Sequence, residues 1–513
     1  MDSASGITVA ALLLAAAATV GFAVYGVRLA RTTSDFLVAS RSVGARWNAA
    51  AISGEYLSAA SFLGVAGLIA KYGADALWYP VGFTAGYLGL LMFVAAPLRR
   101  SGAYTVPDFA EFRLGSLRLR RLAALVVVLI CAVYLIPQFQ GAGLTLRILL
   151  GLPSWVGAVA VGGIVIGTVV GGGMRSITFV QAFQYWLKLT AVAIPALVLA
   201  VHFFGNGPVN MAAEMTSEGA PWLEPGGGLG GPHPLYSVYS LIIATFLGTM
   251  GLPHVLVRFY TNPDGRAARA TALTVIGLVG LFYLFPTLLG VFARLYVPQS
   301  LTDGNSDAGV LLLPGSVVSG LPGQLLGGLV AAGAIAAFLS TSSGLLVSLA
   351  GVISTDLLPG RIRDFRAAAL VSGAVPLVLS LAVASLDLSR TVGLAFSVAA
   401  STLCPLLVLG IWWRGLTAAG ATAGLVVGGL TAGAATVVSV TGGVSTEFAG
   451  GWLAAVLGYP AAVSVPLAFL AMILASKFTH RQSSHEVSRI FVRLHAPERL
   501  GLGADREPGT RPA

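Results

Sequence analysis

The chain has 513 residues, 56% of them drawn from Ala, Val, Ile, Leu, Met, Phe, Trp, Tyr and Cys, and only 10% charged. A soluble domain carries about 25% charged residues, so a soluble enzyme, a nucleic-acid binder and a disordered chain are excluded, despite the net charge of +10. The apolar residues fall into runs of about 20, a bilayer-crossing length, and the runs continue to residue 476, which excludes a single membrane anchor.

The runs predict an all-α polytopic membrane protein with about thirteen transmembrane helices. They lie near 6–28, 47–70, 76–98, 122–147, 154–174, 177–203, 236–257, 270–293, 323–353, 367–386, 391–413, 417–440 and 451–476. They are called spans one to thirteen below. Helices are required because lipid cannot satisfy an open strand edge, and the alternating ten-residue pattern of an outer-membrane barrel is absent. Span one lacks a basic stretch before it and is followed by Arg28 and Arg31, so it reads as a retained helix rather than a signal peptide. Cys131 and Cys404 lie in separate apolar runs with no metal-type spacing and read as small core residues.

The cations are unevenly placed. Arg28, Arg31, Arg41 and Arg46 follow span one, and Arg99, Arg100, Arg113, Arg118, Arg120 and Arg121 follow span three. Arg175 follows span five, Arg258, Arg266 and Arg269 span seven, and Arg361, Arg363 and Arg366 span nine. The intervening loops are nearly bare of Lys and Arg, and the loop 204–235 carries Glu214, Glu218 and Glu224 instead. The positive-inside rule then puts the N-terminus outside and the C-terminus in the cytoplasm of a multi-pass cell-membrane protein. The tail 477–513 reads as a short cytoplasmic extension. No nucleic-acid partner and no obligate protein partner is indicated.

Span two is interrupted at its centre by Ser53-Gly54-Glu55-Tyr56-Leu57-Ser58-Ala59-Ala60-Ser61. Glycine costs about 1 kcal/mol in a helix interior, and a centred carboxylate about 2.5–3.5 kcal/mol on insertion scales. The combination predicts an unwound segment whose carbonyls and hydroxyls face a cavity. Span seven is interrupted by Gly248, Gly251 and Pro253. Two broken helices far apart in sequence point to a secondary transporter. The breaks lie five spans apart, which fits two five-helix halves of inverted topology, spans two to six and seven to eleven. Span nine carries Ser340-Thr341-Ser342-Ser343, whose hydroxyls either bond back to their own helix or face the cavity. Gln138 and Gln140 in span four are either interhelical partners or cavity lining. Lys188 in span six has no acidic partner legible in the sequence and receives no role. His254 stands alone, and the His485-Glu486 pair lacks the second His of a zinc-protease motif, so no catalytic site is expected.

At these residues the chain resembles the sodium:solute symporter family, most closely its cation/acetate symporter branch. The blocks are ASRSVG (39–44), GEYLSAASFLG (54–64), YTVPDFAEFR (104–113), YLIPQFQGAG (134–143), GLPHVLVRFYT (251–261) and VGLAFSVAAS (392–401). The resemblance implies a LeuT-like core of ten helices with one helix before it and two after. The corresponding parts are an extra helix in 1–30, repeats in 47–203 and 236–413, two helices in 417–476 and the tail. It also implies a sodium site, with carbonyls of Gly54, Leu57 and Ala337 and hydroxyls of Ser340 and Thr341 as hard oxygen ligands. Thr355-Asp356-Leu357 completes the family's pattern after span nine. Proline-type relatives carry an Asp where this chain has Tyr56, and many sugar- and proline-type relatives an Asp where it has Thr178, three residues before Gln181.

The implied function is sodium-coupled symport of acetate or a similar small monocarboxylate by alternating access, with sodium as the coupling ion and no organic cofactor. Other solutes, such as pyruvate, propionate or proline, and proton coupling are the alternatives. A non-transporting sensor fits less well, because the tail is too short for a signalling domain. The acetate anion would meet helix N-termini at the breaks, with backbone donors at Ala59, Ala60 and Ser61 and the amide of Gln138. Glu55 would be unfavourable beside an anion, and is expected on the cation side, protonated, or turned away.

Overall fold

The computed structural model describes residues 3–28, 33–205, 222, 233–298, 306–358, 362–382, 388–440, 451–479 and 484–500. Most of the predicted loop 204–235 and the end of the tail, 501–513, lie outside these. Helices are the only regular elements among the described residues.

Among the described residues ten helices are long and apolar enough to cross a membrane, or eleven when Trp452–Gly458 and Ala461–Lys477, bent by 73°, are taken as one, against the predicted thirteen. The difference arises in two continuous stretches, Ala60–Arg100 with 41 residues and Ser154–Gly205 with 52, each of which holds more than one predicted run. At 1.5 Å per residue the second is about 78 Å long, against a hydrocarbon core of about 30 Å. It is not straight: Gly173 has φ 56° and ψ −156°, a conformation open to glycine and strained for other residues, and it divides predicted spans five and six.

The packing is that of a protein with an apolar outside and a largely apolar core that also encloses charged groups. Leu14, Val201 and Phe204 are 71%, 74% and 79% exposed, while Glu55, Lys188 and Arg258 are at most 1% exposed. In water such a surface would aggregate; in lipid it is the favoured solvent contact, and the buried polar groups must find partners within the bundle.

Span two forms as two half-helices. Ala45–Tyr56 ends at Leu57 (φ −73°, ψ 82°), and the chain resumes as a π-helical turn, Ala60–Gly64, leading into Val65–Tyr72. Span seven likewise splits into Pro234–Gly251 and Pro253–Phe259, with Leu252 extended between them (φ −71°, ψ 118°). Pro253 removes a donor and cannot continue a helix from behind. Both breaks fall where the sequence places them. The first half of span two packs on Ser154–Gly205, which in turn makes the most extensive helix pairing of the protein, with Gly320–Val352. Gly54 permits that approach: a Cβ there would collide with the Gln181 carbonyl.

Two sequence blocks that read as separate meet at one guanidinium. Arg120 bonds Glu111 Oε2 at 2.5 Å and Asp356 Oδ1 at 2.6 Å, and Thr105 Oγ1 donates to Asp356 Oδ2 at 2.9 Å. YTVPDFAEFR is thereby tied to the end of span nine. The described part of the tail is helical. Its Ser484–His495 helix docks beneath Arg100, which donates to the His495 carbonyl (3.2 Å) and to Glu498 Oε1 (3.1 Å). Burial works to raise the Glu498 pKa, but its backbone bonds, including the Gly265 amide, and the Arg100 guanidinium outweigh this and hold it below the usual glutamate value. Arg41, Arg99, Arg113 and Arg258, counted as loop cations in the sequence, are buried. Arg41, Arg99 and Arg113 donate to the carbonyls of Gly102, Asn262 and Gly410, so the charge asymmetry rests on the remaining arginines.

Candidate functional site

The break in span two frees four carbonyls, those of Gly54, Glu55, Tyr56 and Leu57, the number any helix C-terminus leaves without an intrahelical partner. The last helical bond into them is Leu57 N to Ser53 O at 3.1 Å, and the first bond of the next half is Phe62 N to Ser58 O at 3.0 Å. Each freed carbonyl finds a donor. Ser58 N turns back to Tyr56 O at 2.8 Å. Thr341 Oγ1 of span nine donates to Glu55 O at 2.6 Å. Lys188 Nζ of span six donates to both Gly54 O and Leu57 O, the latter at 2.7 Å. Its third bond goes to Ser340 Oγ at 2.9 Å, and Ser340 Oγ donates to Ala337 O at 3.1 Å.

All five residues assigned to sodium by resemblance are thus brought together at the junction of spans two and nine. Lys188, to which the sequence assigned nothing, stands among them with its ammonium on three of the five. Ser340 both bonds back to its own helix and serves the junction, so the two sequence readings of it are not exclusive. Ser342 Oγ is buried with no partner.

Beside this junction lies a second polar cluster, centred on Arg258. Its Nε donates to Glu55 Oε2 at 2.7 Å, its Nη1 to Thr178 Oγ1 at 2.7 Å and its Nη2 to Gln181 Oε1. Gln181 Nε2 then donates to Ser340 O at 2.9 Å, which links the cluster to the junction. Glu55 is turned to a cation, as one of the three sequence options required, but the cation is a fixed arginine. Arg258 went unrecognised because it follows the last apolar run of span seven and looks like a loop residue. Thr178 and Gln181, flagged only as a departure from relatives, are its partners.

The residues assigned to a carboxylate lie just beyond the break. Ala59, Ala60 and Ser61 are buried, and their amides precede the first bond of the second half-helix, as orphan donors do. The Ser61 hydroxyl is shared with Tyr283 OH at 2.8 Å, and Ala60 O accepts from Ser389 Oγ at 3.2 Å. Gln138 is fully buried and neither atom of its amide has a partner among the described residues, whereas Gln140 Nε2 donates to Ser380 O at 3.2 Å in an interhelical bond. Gln138 sits one turn beyond Tyr134, whose ring is edge-on to His254 (5.4 Å) and tilted against Phe396 (6.1 Å). Tyr56 joins this aromatic wall through Tyr87 (4.8 Å) and Phe396 (6.1 Å). Its hydroxyl bridges Thr249 Oγ1 (2.8 Å) and Phe83 O (3.1 Å). Among the described residues no group of His, Cys, Asp and Glu is arranged to hold a multivalent metal.

Known proteins match the chain over most of its length. The model of the sodium:solute symporter family matches residues 36–428. An uncharacterised symporter of Bacillus subtilis, YwcA, is 32% identical over 502 residues, covering 94% of this chain and 96% of the relative. A Na+-coupled sialic acid symporter, solved in a substrate-bound outward-open state, superposes with a TM-score of 0.75 at 16% identity, covering 93% of this chain and 99% of its own. Mhp1, a nucleobase-cation-symport-1 family transporter solved in a closed conformation, reaches 0.54 at 16% identity, covering 89% and 98%. These neighbours give the fold as LeuT-like. A family match across most of the chain, joined to a full-length symporter relative, leads to one conclusion: the chain is a transporter, not an enzyme, and belongs to the sodium:solute symporter family.

Proposed function

We propose that the chain is a secondary active symporter that takes up acetate or a similar small monocarboxylate with sodium by alternating access. The observation that carries this is the convergence of Gly54, Leu57, Ala337, Ser340 and Thr341 at a break in the membrane-embedded span two. Hard oxygens freed from a helix at membrane depth are what a small alkali cation needs, and nothing in a purely structural helix requires them. Membership of the family supports sodium as the ion.

The carboxylate is held by the amides of Ala59, Ala60 and Ser61 and by the unpartnered Gln138, with its methyl against the aromatic wall. A carboxylic acid with a pKa near 4.3 is an anion at neutral pH, so a carrier must replace its hydration. The two halves, 47–203 and 236–413, act as inverted repeats around this centre, with the extra helix in 1–30 and two more in 417–476. The protein lies in the cell membrane with its N-terminus outside and its tail inside.

The test is uptake of labelled acetate into proteoliposomes, with and without an inward sodium gradient, with pyruvate, propionate and proline as competitors. Sodium-stimulated acetate uptake, blocked best by monocarboxylates, is expected. Uptake blocked by proline and indifferent to acetate would overturn the substrate. One sodium per acetate is electroneutral, whereas a second cation would add about 2.3 kcal/mol per 100 mV, which a potassium–valinomycin potential resolves.

A further inference from the structure

The junction between spans two and nine, where the sodium ligands are proposed, holds the side chain of Lys188. An ammonium has three N–H donors, and those of Lys188 are all used, on Gly54 O, Leu57 O and Ser340 Oγ. These are three of the five groups assigned to sodium, and Lys188 is fully buried. A sodium ion held by these same three oxygens would have to lie where the ammonium nitrogen lies, and two cations in contact there repel each other strongly.

The charge count agrees. At the break, span two supplies the carboxylate of Glu55, which is bonded to Arg258 of span seven, and the Gly320–Val352 helix that carries Ser340 has no ionisable residue. Glu55 and Arg258 cancel, which leaves the junction with the single positive charge of Lys188. A sodium ion added to it would be a second uncompensated cation in a buried site, a costly arrangement at membrane depth.

Resting on the ion-site reading above, we propose that the ammonium of Lys188 is a tethered occupant of the sodium position, so that sodium and Lys188 exclude one another there. Sodium enters only when the side chain withdraws from Gly54, Leu57 and Ser340. Lys188 is thus a built-in competitor that sets the apparent sodium affinity.

The experiment is equilibrium binding of radioactive sodium to the purified full-length protein in lipid nanodiscs, with no acetate present. The wild type is compared with Lys188→Ala, with Lys188→Gln, and with Lys188→Ala combined with Ser340→Ala. Removal of the competitor should tighten sodium binding by about tenfold or more in both single variants, and loss of the Ser340 hydroxyl should reverse the gain. Lys188→Gln removes the charge but keeps most of the side-chain bulk, so it guards against collapse of the alanine variant. A sodium-induced rise in Tm gives a second readout on whichever variant is monodisperse. Unchanged or weaker sodium binding in both Lys188 variants overturns the proposal, because a supporting role would not relieve competition. Absence of sodium binding in all the proteins overturns it as well, by removing the ion site itself. Because acetate is absent, failure of the substrate reading leaves this test untouched.

Discussion

Arg258 Nε meets Glu55 Oε2 at 2.7 Å, with both side chains 1% exposed, across the interface between the two broken spans. The pair ties the C-terminal end of the first half of span two to the short helix that follows the break in span seven. Its guanidinium also holds Thr178 and Gln181 of span six. Removing one partner of a buried pair leaves the other charge uncompensated, at about 3–5 kcal/mol. Arg258→Ala should therefore lower the Tm of the purified protein sharply and abolish uptake. Glu55→Gln, which keeps an acceptor oxygen for Arg258, should cost less. Equal thermal stability of wild type and Arg258→Ala would sink this assignment.

Thr341 should behave as a donor to backbone rather than as a passive core residue. Its hydroxyl satisfies Glu55 O, and a buried carbonyl left unpaired costs about 1–3 kcal/mol. Thr341→Val should lose stability on that scale, while Thr341→Ser retains it. Ser342, one position on, has no partner for its Oγ, and Ser342→Ala should stay within about 0.5 kcal/mol of wild type. Chemical or thermal unfolding of the three variants in one detergent decides the matter, and three similar losses would contradict it.

Gln138 offers the opposite signature. Its amide has no partner among the described residues, so Gln138→Leu removes no internal hydrogen bond and should leave Tm unchanged or raised. If the amide binds the carboxylate, the KM for acetate should rise by about 10–100-fold, the equivalent of one hydrogen bond to a charged group of about 1.5–3 kcal/mol. A fall in Tm with an unchanged KM would assign Gln138 to packing instead.

Gly344 faces the Glu55 side chain so closely that a Cβ would collide with its carboxyl carbon. Gly344→Ala must displace Glu55 from Arg258 or push span nine from span two. Overpacking of this kind costs about 1–3 kcal/mol. Reduced uptake with reduced Tm is expected from Gly344→Ala. Gly163→Ala, where a Cβ meets nothing within 4 Å, is the neutral control.

Orientation can be read by cysteine labelling with little background, because Cys131 and Cys404 are buried. Ser217→Cys in the predicted outer loop should react with an impermeant maleimide in whole cells. His485→Cys in the tail helix should react only after permeabilisation. The reverse pattern would invert the topology.

The apolar runs, the two breaks and the ordered blocks were legible in the sequence because each is local. Span length follows from bilayer thickness, and Gly54 and Pro253 weaken a helix whatever surrounds it. The hydroxyl pair Ser340-Thr341 was legible for the same reason, since polar groups at membrane depth need a stated purpose. The roles of Lys188 and Arg258 were not. Lys188 lies more than 130 positions from the carbonyls it satisfies, and Arg258 reaches Glu55 over 203. A charge buried in a bundle declares its partner only once distant helices are packed, because desolvation is offset by whichever groups the fold brings within hydrogen-bond reach. The sequence alone determined that this protein crosses the membrane many times around two broken helices. Only the tertiary structure decided that the four carbonyls freed by the first break are satisfied, and that two of them are held by the chain's own lysine.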